Sequence, residues 1–141
     1  MKGWAKGEKT MRAAWTAGRM VYGAFFLATG IWILVSVATG LVPAPTQPTP
    51  EAGAFMAALS RARFVDPMLA FSFVAGGGCL LLDRTAPLGL ALLAPSVAVI
   101  LGFHMFLSGQ YLWGPFVAAW FALLAWRYRR RFAPLWTRPG D

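Results

Sequence analysis

The chain has 141 residues, enough for one domain, with 58% hydrophobic and 13% charged residues and a net charge of +8. An ordinary soluble domain carries ~25% charged residues, so there are too few charges here to solvate a globule, and they stand in clusters between long uncharged runs, the pattern of transmembrane helices. A single cysteine, Cys79, excludes an intrachain disulfide and a CxxC redox pair.

In chain order, residues 1–19 read as a basic N-terminal arm carrying Lys2, Lys6, Lys9, Arg12 and Arg19. Residues 20–42 are free of charge and long enough to cross a hydrocarbon core of ~30 Å at ~1.5 Å per residue, which predicts a first span. Ala38 and Gly40 would suit signal-peptide cleavage, but the apolar run exceeds the roughly 7 to 15 residues of an h-region and the basic arm before it is long. Gly23 and Gly30 share one face of this span.

Pro43, Pro45, Pro48 and Pro50 then predict an extended, polyproline-like path. Thr49 is placed to cap a helix with Pro50 at its first position, and Phe55, Met56 and Leu59 recur at helical spacing. The prediction is a short amphipathic helix over about 50–63 in the first outer loop, acting either as a plain connector or as a lid over a cavity. Asp66 and Pro67 look like the N-cap and first residue of a second span, 67–82. Within it Gly76, Gly77 and Gly78 cover most of the helix circumference, which predicts tight packing on two neighbours. A third span, 86–107, holds Pro95, where a lost backbone hydrogen bond should bend the helix. A fourth, 112–127, carries Gly114, Ala118 and Ala122 as a small-residue stripe suited to a helix interface, with Trp126 and Tyr128 at headgroup level. Residues 128–141 form a basic tail.

These elements predict an all-α integral membrane protein, a four-helix bundle with one outer amphipathic helix, whose first partner is the lipid bilayer. The small-residue stripes suit a bundle or a homo-oligomer equally. Lysines and arginines precede the first span, follow the fourth and occupy the turn between the second and third at Arg84, so all three places share one side. The positive-inside rule puts both termini in the cytoplasm, and an odd span count would break this agreement. Because the basic residues flank apolar spans, topology and anionic headgroups account for them and nucleic acid is not the expected partner.

Chemistry is sparse. Between the predicted span boundaries there is no Asp, Glu, Lys or Arg, so a side-chain proton relay is not expected. There is no phosphate loop, zinc spacing or hydrolase triad, hence no predicted catalytic or metal-binding residue and no evident cofactor. The only histidine, His104 in LGFHMFLSGQYLW, lies near the outer end of the third span. It reads as an interfacial residue reaching water, Gln110 or Tyr111, as one axial ligand of a haem shared across a homodimer, or as a hydrogen-bonding group on a ligand such as a quinone carbonyl, with Gln110 and Tyr111 as the accompanying candidates.

The order of FMAAL, FVDP, the glycine pair and LLLDRTAPLGLALLAPSVAVILGFHMFL resembles the DoxX-like family of small four-helix membrane proteins, over roughly residues 19–127. Gly76, Gly77, Arg84, Pro87, Ala94, Pro95, Phe103 and His104 stand where that family usually has the same residues. Phe73, Val99 and Trp32 stand where it often has Glu, Asn and Asn, which implies loss of polar positions within the membrane. The resemblance implies a bacterial cytoplasmic membrane protein, a non-catalytic accessory subunit for a redox or membrane-homeostasis partner, or alternatively a quinone-binding subunit of an oxidoreductase in which His104 contacts the quinone.

Overall fold

The computed structural model describes residues 2–40 and 46–133, with side chains from residue 7 onward. Pro43, Pro45 and most of the C-terminal tail lie outside the described residues. Within them the chain is all-helical: α1 (Lys2–Thr39), α2 (Pro50–Arg61), α3 (Val65–Leu81), α4 (Ala86–Phe106) and α5 (Trp113–Phe132).

The basic arm is not a separate segment. Helix α1 runs through it without a break, because Lys and Arg are good helix formers and no proline intervenes. The change in composition near residue 19 is a change in surroundings, not the start of the helix. Helix α2 begins as its sequence suggests: Thr49 is extended and its side chain accepts from the Ala52 N–H, with Pro50 in the first turn. Helix α3 begins two residues earlier than expected, at Val65 after Phe64, so Asp66 is a first-turn residue and not the cap.

Glycines decide how the long helices meet. A Cβ on Gly23 would lie 2.9 Å from the Gly77 carbonyl oxygen, and one on Gly77 would lie 2.6 Å from both the Gly23 oxygen and the Leu27 nitrogen, so α1 and α3 touch backbone to backbone. Gly30 repeats this approach against Ala70 and Phe73 one helical stretch away. On the other side of α3, Gly76 faces Leu93 and Gly89 of α4. Gly114 lets α5 approach α4 at His104, whose Cβ would lie 2.6 Å from an added Cβ. Gly78 and Ala122 do not pack: a Cβ on Gly78 meets nothing within 4 Å, and Ala122 is exposed. Successive helical residues turn by ~100°, so the third glycine of the triplet swings past both neighbours, and Ala122 sits about 80° round from Gly114. The buried face of α5 drifts the other way, through Val117, Leu124 and Tyr128.

Neighbours α1–α3, α3–α4 and α4–α5 meet along their lengths, whereas α1 and α5 are joined chiefly by side chains. Tyr22 packs on Trp120 (5.4 Å between ring centres) and donates a hydrogen bond to the Val117 carbonyl at 3.0 Å, and Phe25 meets Trp113 edge-on. Tyr22, Phe26, Phe73, Leu80, Leu90, Leu93 and Leu124 form the shared core. Helix α2 turns by 92° relative to α3 and crosses one end of the assembly.

Two helical stretches, Gly7–Thr39 and Ala86–Phe106, are long and apolar enough to cross a membrane, and α2 with α3 passes the same test only as a bent pair. Helix α3 alone is short, and Arg127, Arg129, Arg130 and Arg131 limit the uncharged part of α5. Large apolar side chains nevertheless face outward on every long helix, including Phe71 at 70%, Leu123 at 56% and Phe106 at 85% exposure.

Candidate functional site: a cavity beneath α2

The two ends of the protein differ. At the basic end Arg19 is buried and donates to the Leu80 carbonyl at 2.6 Å. That oxygen lies in the last turn of α3, where no helical N–H remains for it, and a cation there also complements the helix dipole. Next to it Asp83 accepts from Tyr128 at 2.6 Å and from Arg131 at 2.6 Å. These two hydrogen bonds hold the Asp83 carboxyl below the usual carboxylate range.

At the opposite end α2 closes over a cavity of about 260 Å³ to which all five helices contribute. Thr49 anchors the lid, since its hydroxyl donates to the Leu107 carbonyl at 2.5 Å while accepting from Ala52. Phe55 of α2 meets Phe103 of α4 with ring centres 5.9 Å apart. Phe26 and Phe73 pack edge to face at 4.9 Å on the inner wall. The lining is chiefly apolar, with Thr29, Asp66, Ser96, His104 and Trp113 as its polar members.

The hydrogen bonding of these groups defines what the cavity offers. His104 Nδ1 is 2.8 Å from the Ile100 carbonyl oxygen. A carbonyl can only accept, so Nδ1 carries the proton and, in the neutral ring, Nε2 keeps a lone pair. Thr29 commits its proton to the Phe25 carbonyl at 2.8 Å. Ser72 donates to the Leu92 carbonyl at 2.9 Å, so in the 3.2 Å contact between the two serines Ser96 is the donor. Asp66 is half-buried and has no hydrogen bond or ion pair among the described residues, which leaves its carboxyl oxygens as further acceptors. The indole N–H of Trp113 is the one lining side-chain donor without an acceptor among those residues.

The residues grouped with His104 in the sequence do not accompany it. Gln110 and Tyr111 are exposed and line no part of this cavity. The reason is local: Gly109 takes a positive φ of 67°, and the turn it makes carries the chain away from the cavity before α5 begins. Asp66, Trp113 and the α2 side chains take their place. Asp66 was legible only as an acid beside an apolar run, and the sequence signal for its site role was masked by its suitability as a cap. Among the described residues no three His, Cys, Asp or Glu side chains group as a metal site. Cys79 is part-buried in α3, away from the cavity lining.

No protein-family model, curated protein or solved structure matches the chain.

Proposed function

We propose that the protein is a DoxX-like, four-span integral protein of a bacterial cytoplasmic membrane that binds a quinone-class ring beneath α2 as a non-catalytic partner of a membrane redox complex. The cavity carries this reading. It is ring-sized, below the ~300 to 1,000 Å³ typical of pockets for whole small molecules, so a longer isoprenoid tail would leave between the helices into lipid. Its aromatic walls suit a flat ring.

The polar groups favour the reduced ring. A quinone carbonyl needs donors, and Trp113 is the one free side-chain donor in the lining; the two hydroxyls of a hydroquinone need acceptors, which His104 Nε2 and Asp66 supply. A carbonyl contact to His104 would require the doubly protonated ring.

Four spans, with α3 and α5 among them, are supported by their outward-facing Phe71, Met68, Phe116 and Leu123, which would otherwise lie in water. Arg12, Arg19, Arg127 and Arg131 gather at one end and the α2 end carries Arg61 and Arg63 beside Glu51 and Asp66, which supports cytoplasmic termini. The second reading, a scaffold with no ligand, draws on the absence of any convergence of Gln110 and Tyr111 on His104.

The test is the quinone and quinol content of the detergent-purified protein. Wild type is expected to retain one ring per chain, and His104→Ala to reduce that content about fivefold or more, the effect of one lost buried hydrogen bond, with unchanged helix content. An empty wild-type extract leaves the scaffold reading, and a variant that retains as much as wild type removes His104 from the site.

A further inference from the structure

We propose a second site at the basic end, in the seam between α1 and α5, that takes the phosphate of a net-negative phospholipid. Its basic pocket shares no lining residue with the cavity beneath α2, and the proposal rests only on the protein being embedded in a membrane.

The seam is built differently from the other helix contacts. Glycines bring α1 to α3, α3 to α4 and α4 to α5, but between α1 and α5 only Gly18 faces across, and a Cβ there would still lie 3.7 Å from the Trp120 indole nitrogen. Rings bridge the two helices instead: Tyr22 packs on Trp120 and donates to the Val117 carbonyl. Phe25, Trp113 and Phe116 stand along the seam with 39%, 44% and 52% of their surface exposed, and Phe116 meets Trp120 edge-on at 5.5 Å. Their exposed faces are apolar surface against which an acyl chain can lie.

At the basic end of the same helix pair lies a pocket of about 190 Å³ lined by Arg12, Trp15, Thr16, Asp83, Leu124, Arg127 and Tyr128. The charges in this pocket do not cancel. Asp83 is already held by Tyr128 and Arg131. The Thr16 hydroxyl donates to the Arg12 carbonyl. Arg12 has one exposed, long contact to Glu8 at 3.4 Å, and Arg127 has no carboxylate or carbonyl partner among the described residues. Two guanidinium groups from different helices thus border one pocket with donors to offer, and guanidinium forks match phosphate oxygens. Trp15, half-buried in the lining, belongs at the same headgroup level. Positive-inside topology explains why arginines lie at this end. It does not explain why two of them, on different helices, border one pocket together with Trp15.

The experiment is native mass spectrometry of the delipidated full chain titrated with phosphatidylglycerol or with phosphatidylcholine of identical acyl chains. The first phosphatidylglycerol is expected to bind about tenfold or more tightly than phosphatidylcholine, the effect of two cations on one net anionic headgroup. The Arg12→Gln/Arg127→Gln double variant should abolish that preference. The Arg129→Gln/Arg130→Gln variant should keep it, since Arg129 lies over Trp126 and bonds the Trp126 carbonyl. Equal binding of the two lipids by wild type overturns the proposal whether or not the variants fold. So does equal loss in both double variants, which would mean a diffuse basic surface, or displacement of phosphatidylglycerol by millimolar inorganic phosphate, which would mean a free-anion site.

Discussion

At Gly77 a methyl group has nowhere to go. Its nearest neighbours would be the Gly23 oxygen and the Leu27 nitrogen of α1, both at 2.6 Å and both backbone, so α1 and α3 would have to separate. Overpacking of this kind costs ~1 to 3 kcal/mol. Gly77→Ala is therefore expected to lower the unfolding midpoint in detergent, while Gly78→Ala, one residue along and facing open space, should be neutral or slightly stabilising through helix propensity. Equal effects at the two positions would show that the α1–α3 contact is not as close as described. Gly76 and Gly77 were legible in the sequence as packing devices, because small residues in an apolar helix have few other uses, but Gly78 was wrongly grouped with them. Which glycine meets which helix was not legible, since that depends on the rotation of α3 about its axis. Arg19 and Asp66 were misread for a shared reason. Each flanks an uncharged run, and from sequence alone a flanking charge looks like a boundary, although Arg19 is buried against the last turn of α3 and Asp66 lines the cavity.

Helix α2 is held over the cavity by few contacts, and Thr49 makes two of the polar ones. Replacing it with Ala removes both the N-cap bond from Ala52 and the bond to the Leu107 carbonyl, of which the cap alone contributes ~1 kcal/mol. Thr49→Ala is expected to speed amide hydrogen exchange over residues 50–61 by roughly fivefold, with α3 and α4 unaffected. Unchanged exchange in α2 would mean that Phe55 and its neighbours hold the lid without the cap. This element was readable in the sequence almost to its ends, because a threonine before a proline followed by apolar residues at helical spacing is a local signal. Its 92° turn relative to α3 was not, because that orientation comes from Arg63 at φ 59° and from contacts distant in sequence such as Phe55 on Phe103. Helix α5 was readable as a helix from its apolar run, but its buried face only in part: Gly114 and Ala118 of the small-residue stripe pack, Ala122 is exposed, and the larger Val117, Leu124 and Tyr128 complete the face.

For the whole molecule, the concentration of arginines at one end and the apolar outer surface of the long helices give a definite expectation. Reporter fusions at residue 1 and residue 141 should report the same, cytoplasmic compartment, and a tag in the α2 region the opposite one; termini on opposite sides would require an odd span count and would remove α3 or α5 from the membrane. The charge-free runs made the long helices, and two stretches apolar enough to cross a membrane, legible from sequence. The cavity was not, because its lining is drawn from five helices and only folding brings Phe55, Asp66, Phe73, His104 and Trp113 together. The most direct test of the account is to photolabel the membrane-embedded protein with a diazirine-bearing hydroquinone and map the modified peptides. Binding beneath α2 predicts label on residues 55–59 and 99–104, suppressed by excess unlabelled quinol and lost in His104→Ala. Label spread over lipid-facing residues such as Phe71 and Leu123, undiminished by competitor, would contradict it.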